Sequence, residues 1–466
     1  MARSDSAHRP GIGRRAFLAG AAGAGLAAAG IGSLLGGCGT DPTAPRHAPL
    51  PEPRRPVTWP IYPDNTPIAD GLAPEASGVL SIYAWPDRVS QRCLDDFSKA
   101  YRCEVQRTTF TTITEALARL IRGRDRFDVV MGVPTDLIGL LVSQSLIQPL
   151  NHSYVPNIDQ AWPVFTDPYY DSHWLYTVPY MVYTTGIAWR RDLVDLDPYT
   201  LVNGWNFPWV AGCKGQTVIL DDYRASISLG LLKNGVRSID TTDPLLIDNA
   251  RRSLTDLAGL VGLRISNAAS RQIASGRSWV HHAWSGQAVA ASRHLPPGVP
   301  AEVIGYWFPP DGAGPVANDI NTVLRGARNP VLAHLFLNFM LERANVMHNV
   351  AATGYTQPLT WLTPSRLVSA GILPASLTSA AVPSTFFDRG LKEFEIPIAA
   401  DELWRQAWQA VLRDSAPAQS LSPVLSRSAR EDRNRLPGQR RTYRLGSAQI
   451  GSTCVAAWCS NRFATA

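Results

Sequence analysis

From Val79 onward the apolar and polar positions follow two alternating rhythms, one with a period of two and one near 3.6, which predict strands and helices in turn. Val79 to Tyr83 reads as a strand. Arg92 to Tyr101 then places Leu94, Phe97 and Tyr101 on one helical face. Glu104 to Phe110 is strand-like, Thr114 to Arg122 a helix with Leu117, Leu120 and Ile121 inward, and Asp128 to Met131 a buried strand. Pro134 begins another helix, at a position where its missing N–H is harmless. This β-α-β-α-β order predicts a mostly parallel sheet with helices on both faces.

The second half repeats the style. Gly186 to Trp189, Thr217 to Leu220, Trp279 to Ala283 and Asn321 to Leu324 read as strands; Tyr223 to Lys233, Gly286 to Arg293 and Pro330 to Glu342 read as helices. In the last of these Leu332, Leu335, Phe336, Phe339 and Met340 face inward. The economical fold class is α/β with two lobes of similar build. Ligands of open α/β sheets sit beyond the carboxyl ends of strands, so two facing lobes would share a cleft.

The ends differ from this body. Gly11 to Cys38 has a paired Arg14 and Arg15, then a charge-free Gly- and Ala-rich run, then Cys38. That is the layout of an export signal, and its small residues make a poor permanent membrane helix. Arg14-Arg15-Ala16-Phe17-Leu18 resembles a twin-arginine signal, and Leu35-Gly36-Gly37-Cys38 resembles a bacterial lipoprotein cleavage box, in which the Cys38 thiol would carry lipid. Residues 1–38 are therefore expected as leader and residues 39–77, rich in Pro, as an extended tether. Residues 415–466, rich in Ser, Arg and Pro, are expected to be a basic, disordered tail.

Charge divides the same way. The net +6 is made of about +4 through Val57 and about +6 after Asp414, so the body carries about −4. A mildly acidic body suits neutral or cationic partners and excludes a nucleic-acid backbone as the expected partner. The six cysteines, at 38, 93, 103, 213, 454 and 459, have no paired C-x-x-C spacing, so a metal framework is not expected, and no cofactor is expected either. Cys93 shares an apolar helix face with Leu94 and Phe97 and reads as a small buried hydrophobe, whereas Cys454 and Cys459 are close enough to pair in an oxidising compartment.

Several strand ends deliver an aromatic ring or a carboxylate: Trp85 and Asp87, Asp221 and Asp222, Trp284, Asp319, and Tyr355 within Gly354-Tyr355-Thr356-Gln357. Acids give an ammonium charge-assisted hydrogen bonds worth about 1.5–3 kcal/mol each, and aromatic faces add about 0.5–2 kcal/mol. Each residue also has a plainer explanation. Asp222 precedes a helix and is placed to cap it, and a Trp at a strand end usually belongs to the core. Arg224 is placed to pair with Asp222. His281 and His282 point to opposite faces of their strand and cannot hold one metal. A hydrolase built from Asp222, His281 or His282, and Ser285 lacks a nucleophile elbow, and no P-loop or H-E-x-x-H is present. A surface lipoprotein that binds another protein is the third class.

Taken together, Ile82-Tyr83-Ala84-Trp85, Phe127-Asp128-Val129-Val130, Thr177-Val178-Pro179-Tyr180, Leu220-Asp221-Asp222-Tyr223-Arg224, Ala283-Trp284-Ser285-Gly286, Ala327-Arg328-Asn329-Pro330 and Thr353-Gly354-Tyr355-Thr356 resemble the bacterial spermidine/putrescine-binding proteins, the extracytoplasmic receptors of polyamine ABC importers. The resemblance runs from about Val79 to Asp414. It implies a two-lobed type II binding-protein fold with a crossing hinge, with residues 78–186 and 317–362 in the first lobe and residues 187–316 and 363–414 in the second. Trp85, Trp284 and Tyr355 fall on its ligand-stacking positions, and Asp87, Asp222 and Asp319 on its acidic ones. Four positions depart from the pattern: there is no aromatic near Val133 to Thr135, Ala225 replaces an acid, Arg88 replaces an aromatic, and Ala317 replaces a Trp. The expectation is a monomeric, lipid-anchored receptor outside the cytoplasmic membrane. It would take a small cationic solute, a polyamine or a shorter diamine, or else a different small polar solute, and deliver it to an ABC permease without catalysing a reaction.

Overall fold

The computed structural model describes residues 56–415 apart from Ser77. Its strands are β1 (Val79–Ala84), β2 (Glu104–Thr109), β3 (Val129–Pro134), β4 (Val178–Arg190), β5 (Thr217–Ile219), β6 (Arg264–Ile265), β7 (Val280–Trp284), β8 (Ile304–Trp307) and β9 (Val316–Val323). They follow the order β2-β1-β3-β9-β4-β7-β5-β6, with β8 also paired to β4. The trios β2-β1-β3 and β7-β5-β6 are parallel, as the alternating pattern predicts. Every ladder that involves β4 or β9 is antiparallel, which the pattern did not predict. The difference has a local cause. A parallel neighbour needs a crossover, usually a helix, whereas β4 and β9 are entered from irregular segments.

β4 joins the two halves. Its residues Val178 to Thr184 pair with β9, and from Thr185 onward the partners become β7 and then β8. All thirteen residues are buried. A strand buried on both faces shows no alternation, which is why sequence pattern found only Gly186 to Trp189. β9 likewise begins at Val316, well before the expected Asn321. Pro134 ends β3 and precedes a short 3-10 turn, Thr135–Leu137, that runs into the helix Ile138–Ser143. The helices Pro244–Val261, Arg343–Thr353 and Ile398–Ser415 complete the packing, the last by burying Trp404, Trp408 and Val411 in the second of two apolar cores.

The described part of the expected tether is not extended. Val57 and Trp59 are buried, the Trp59 indole N–H donates to the Tyr170 carbonyl at 2.8 Å, and Asn65 donates to the Ile147 carbonyl at 2.9 Å. The Glu75 carboxylate receives the amides of Val331 and Leu332 at the start of the helix Pro330–Phe339. Scattered anchors of this kind carry no period, so composition alone reads the segment as loose. The leader, Cys38, Cys454, Cys459 and the tail lie outside the described residues. Cys93, Cys103 and Cys213 are free and buried, and Cys93 sits in the apolar core as expected.

Two landmarks distant in sequence meet at Asp128. Its carboxylate accepts the amides of Ser81 at 2.8 Å, Arg328 at 2.7 Å and Asn329 at 3.0 Å, so it ties β1 to the start of the helix Pro330–Phe339. Asp128→Ala strands three backbone donors, that of Asn329 in the core, and is expected to cost about 3 kcal/mol or more in urea unfolding.

Candidate ligand cleft

Carboxyl ends of strands in both halves supply the site. β1 leads into Trp85, Asp87 and Arg88, β3 into Asp136, β5 into Asp222, and β7 ends on Trp284, while β9 carries Asp319. Short parallel strands end where their ladder ends, which frees the next few side chains to project from the edge.

A cage of aromatic rings forms the first part. The Arg88 guanidinium carbon lies 3.8 Å from the Tyr355 ring centre and 5.4 Å from those of Tyr183 and Trp284. Arg88 Nη1 is 3.5 Å from Asp319 Oδ2, and Arg88 Nε is 3.8 Å from Asp87 Oδ1. The Tyr183 hydroxyl donates to Asp319 Oδ1 at 3.0 Å. Arg88 and Asp319 are both buried, whereas the Asp87 side chain is 55% exposed. Burial pushes the Asp319 carboxyl above its usual range, opposed by Arg88 and the Tyr183 hydroxyl. Burial also works against charge on Arg88, but Tyr355, Asp319 and Asp87 outweigh it and its pKa is raised. Arg88 Nε, Asp319 Oδ2 and the Tyr355 hydroxyl are buried without a hydrogen-bond partner. Such atoms are rare in folded proteins and need an explanation.

Glycines set the cage walls. A Cβ on Gly286 would lie 2.4 Å from the Tyr355 ring, so only glycine lets the helix Ser285–Ala291 approach it. Gly286→Ala is expected to cost about 1–3 kcal/mol in thermal unfolding and to shift the near-ultraviolet signal of Tyr355 and Trp284. Gly132 has φ +74° and its carbonyl accepts the Trp85 indole N–H at 2.8 Å, which fixes that ring against Phe110 at 4.7 Å.

A cluster of acids forms the second part. Asp136, Asp222 and Glu393 surround the single guanidinium of Arg224, and Glu395 adjoins Asp136. All four are half-buried. Glu393 and Glu395 come from residues 391–397, a segment held between the halves. Its Phe394 ring packs edge-on to Tyr169 at 5.2 Å, and its Phe394 carbonyl accepts from Arg224 Nη2 at 3.2 Å. Among the described residues neither glutamate receives a hydrogen bond from the protein. Burial pushes Glu393 up to about 8, with Asp222 and Asp136 adding to the shift and Arg224 opposing it. Burial and Asp136 push Glu395 up to about 7. Asp222 and Asp136 are also raised, burial being the largest cause. The cluster adjoins the cage, since Glu393 contributes to raising the Tyr183 pKa after burial and Asp319.

The six residues chosen from sequence fall into these two parts. Trp284, Asp319 and Tyr355 meet around Arg88, with Asp87 at its exposed side and Trp85 beyond it on Gly132. Asp222 stands in the acid cluster, and its carboxylate also caps the helix Tyr223–Lys233 by accepting from Ala225 N at 3.0 Å. No ion pair within 4 Å joins Arg224 to Asp222 among the described residues; Arg224 stacks over Trp404 instead, at 4.9 Å. An aromatic ring stands beside two of the positions that lack one. Tyr183 is the ladder partner of Ala317, and the Tyr169 hydroxyl lies 3.4 Å from Thr135 Oγ1. Sequence reasoning missed Asp136, Glu393 and Glu395. Asp136 reads as an ordinary acid in the first turn of a helix, and Lys392-Glu393-Phe394-Glu395-Ile396 alternates like an exposed strand.

The hydrolase arrangement is absent. Ser285 Oγ accepts from Thr184 N at 3.3 Å and has no hydrogen bond to either histidine among the described residues. His281 and His282 are buried in β7, and burial lowers them to about 4 and about 3.

Strand ends of two α/β halves meeting over buried rings and acids define a solute-binding protein. Residues 93–369 match the model of the bacterial extracellular solute-binding proteins, and the chain belongs to that family, whose members bind solutes rather than catalyse reactions. It is 23% identical over 323 residues to a putrescine/cadaverine-binding protein of Pseudomonas aeruginosa, covering 68% of this chain and 90% of the relative. It is 28% identical over 285 residues to a spermidine/putrescine-binding periplasmic protein of Escherichia coli, covering 60% and 78%. The fold matches a spermidine/putrescine ABC transporter substrate-binding protein of Streptococcus pneumoniae, with a TM-score of 0.58 at 20% identity over 73% of this chain and all of that one. It matches a lipoprotein of Treponema pallidum with a TM-score of 0.59 at 23% identity, over 72% and 99%. The two-lobed fold expected from sequence is therefore present.

Proposed function

We propose that the protein is the exported receptor of a polyamine ABC importer and that it holds a small organic cation between its lobes. The observation that carries this reading is the acid cluster: three of its four carboxylates face one guanidinium, the fourth adjoins Asp136, and two of the four take no hydrogen bond from the described residues. Leaving several acids together in a half-buried site costs free energy unless a cation arrives to pair with them. Similarity to proteins named for putrescine, cadaverine and spermidine supports an amine as that cation. The change of β4 partners between Thr184 and Thr185 supports lobe boundaries near Gly186 and Ala317, and Cys38 anchors the chain to lipid outside the cytoplasmic membrane. Closure of the lobes on the solute presents both to the permease at once.

In this reading Asp222, Glu393 and Asp136 meet the ammonium group, while Trp284, Tyr355 and Trp85 line the neighbouring walls with Asp319 and Asp87. Calorimetric titration with butylamine, putrescine and spermidine tests it. Saturable heat from at least one amine is expected, reduced about 10- to 100-fold in affinity by Glu393→Gln, the worth of one charge-assisted hydrogen bond. No heat from any amine would remove the cation reading and leave the fold untouched.

A further inference from the structure

Three aromatic rings around a buried acid are the surroundings that bind an organic cation. Here the place is taken by the chain itself. The Arg88 guanidinium lies over Tyr355, faces Tyr183 and Trp284, and pairs with Asp319. Its backbone is fastened from two sides. The Tyr180 hydroxyl donates to the Arg88 carbonyl, Asn349 Nδ2 donates to that same hydroxyl at 2.9 Å, and Asn349 Oδ1 accepts the Ser90 amide at 2.8 Å. Tyr180 and Asn349 are fully buried, so this clasp cannot loosen without opening the core. A side chain on so fixed a base, 96% buried and surrounded on three sides, is a permanent occupant.

We propose that Arg88 is a built-in cation that fills one ammonium subsite of the cleft and so sets the length and charge of the solute. The inference rests on the cation reading above and narrows it. With Asp319 already neutralised, a second ammonium gains nothing at the cage. Beside Arg88 the only other acid is Asp87, whose side chain is 55% exposed to water, whereas at the other part Asp136, Asp222 and Glu393 share Arg224 and Glu395 adjoins Asp136. The preferred solute therefore places one ammonium against that cluster, and a chain that carries a further ammonium into the cage meets like charge. Short monoamines and diamines fit; a triamine has no use for its last amine.

The test compares butylamine, putrescine and spermidine on the full chain and on Arg88→Ala by calorimetry, with thermal unfolding of both proteins as a second readout. In the native protein spermidine is expected to bind no more than about threefold better than putrescine. In Arg88→Ala the vacated cage is open to the third ammonium, and spermidine is expected to gain about tenfold or more over putrescine, in line with a desolvated cation on aromatic faces. Spermidine is also expected to raise the melting temperature of the variant more than that of the native protein. If the native protein prefers spermidine tenfold, or the variant folds and gains nothing, Arg88 is not a surrogate ammonium although the cleft still binds amines. Should Arg88→Ala fail to fold, the native ranking decides alone. If neither protein binds any amine, the cation reading itself fails and this inference falls with it.

Discussion

Asp319→Ala is expected to lower folding stability by about 3–5 kcal/mol, while Arg88→Met combined with Asp319→Leu costs far less. The reason is the burial of both partners. Removing the carboxylate alone leaves the Arg88 guanidinium in the cage with the Asp87 acid at 3.8 Å on its exposed side as its remaining counter-charge. Removing both takes away the desolvation cost along with the attraction, and the apolar replacements fill the space against Tyr183, Trp284 and Tyr355. Urea unfolding of Arg88→Met, Asp319→Leu and the double variant that combines them gives the coupling directly, and near-additive losses would show that the two groups do not act as a pair.

Affinity for an aliphatic amine is expected to rise as pH is raised from about 6 to about 8.5, with about one proton released on binding near pH 7.5. The sign follows from the two orphaned glutamates. Burial holds Glu393 at about 8 and Glu395 at about 7, so at pH 6 both keep their protons in the empty protein. An ammonium favours the ionised form and expels them. Arg224 opposes the Glu393 shift, and Asp136 and Asp222 reinforce it, so the cluster titrates as a unit. The trend ends near pH 10, where the amine loses its own charge. Stability of the empty protein runs the opposite way. These groups bind protons more tightly in the folded chain than in the unfolded one, so stability falls as pH rises from about 4.5 to about 8. Asp171, buried and held at about 7, adds to the same fall. Titration in buffers of different ionisation heat counts the released protons, and an affinity that falls across this range would contradict the assignment.

Much of the body was legible in the sequence because both parallel trios lie in repeating strand–helix units whose periods are plain. β4 was not, since thirteen buried residues in a row carry no alternation. The cage was half legible. Trp284, Asp319 and Tyr355 stand at strand or helix ends where a projecting side chain is expected. Tyr183 could not be found that way: it enters only because it is the ladder partner of Ala317, and register across 134 residues is invisible in one sequence. Arg88 was noted as a departure, but only its position over Tyr355 shows that it occupies the cage rather than lining it. Glu393 and Glu395 were hidden because Lys392 to Ile396 alternates like an exposed strand and gains its meaning only from lying between Tyr169 and Arg224. A pair of acids flanking an aromatic in a short irregular segment was the available signal.

The most direct measurement is a crystal structure of the protein grown with putrescine. The account predicts one ammonium within hydrogen-bond distance of Glu393 and of Asp222 or Asp136, with Arg88 still seated over Tyr355. Putrescine found outside the cleft, or with its ammonium against Asp319 and Arg88 displaced, would contradict it.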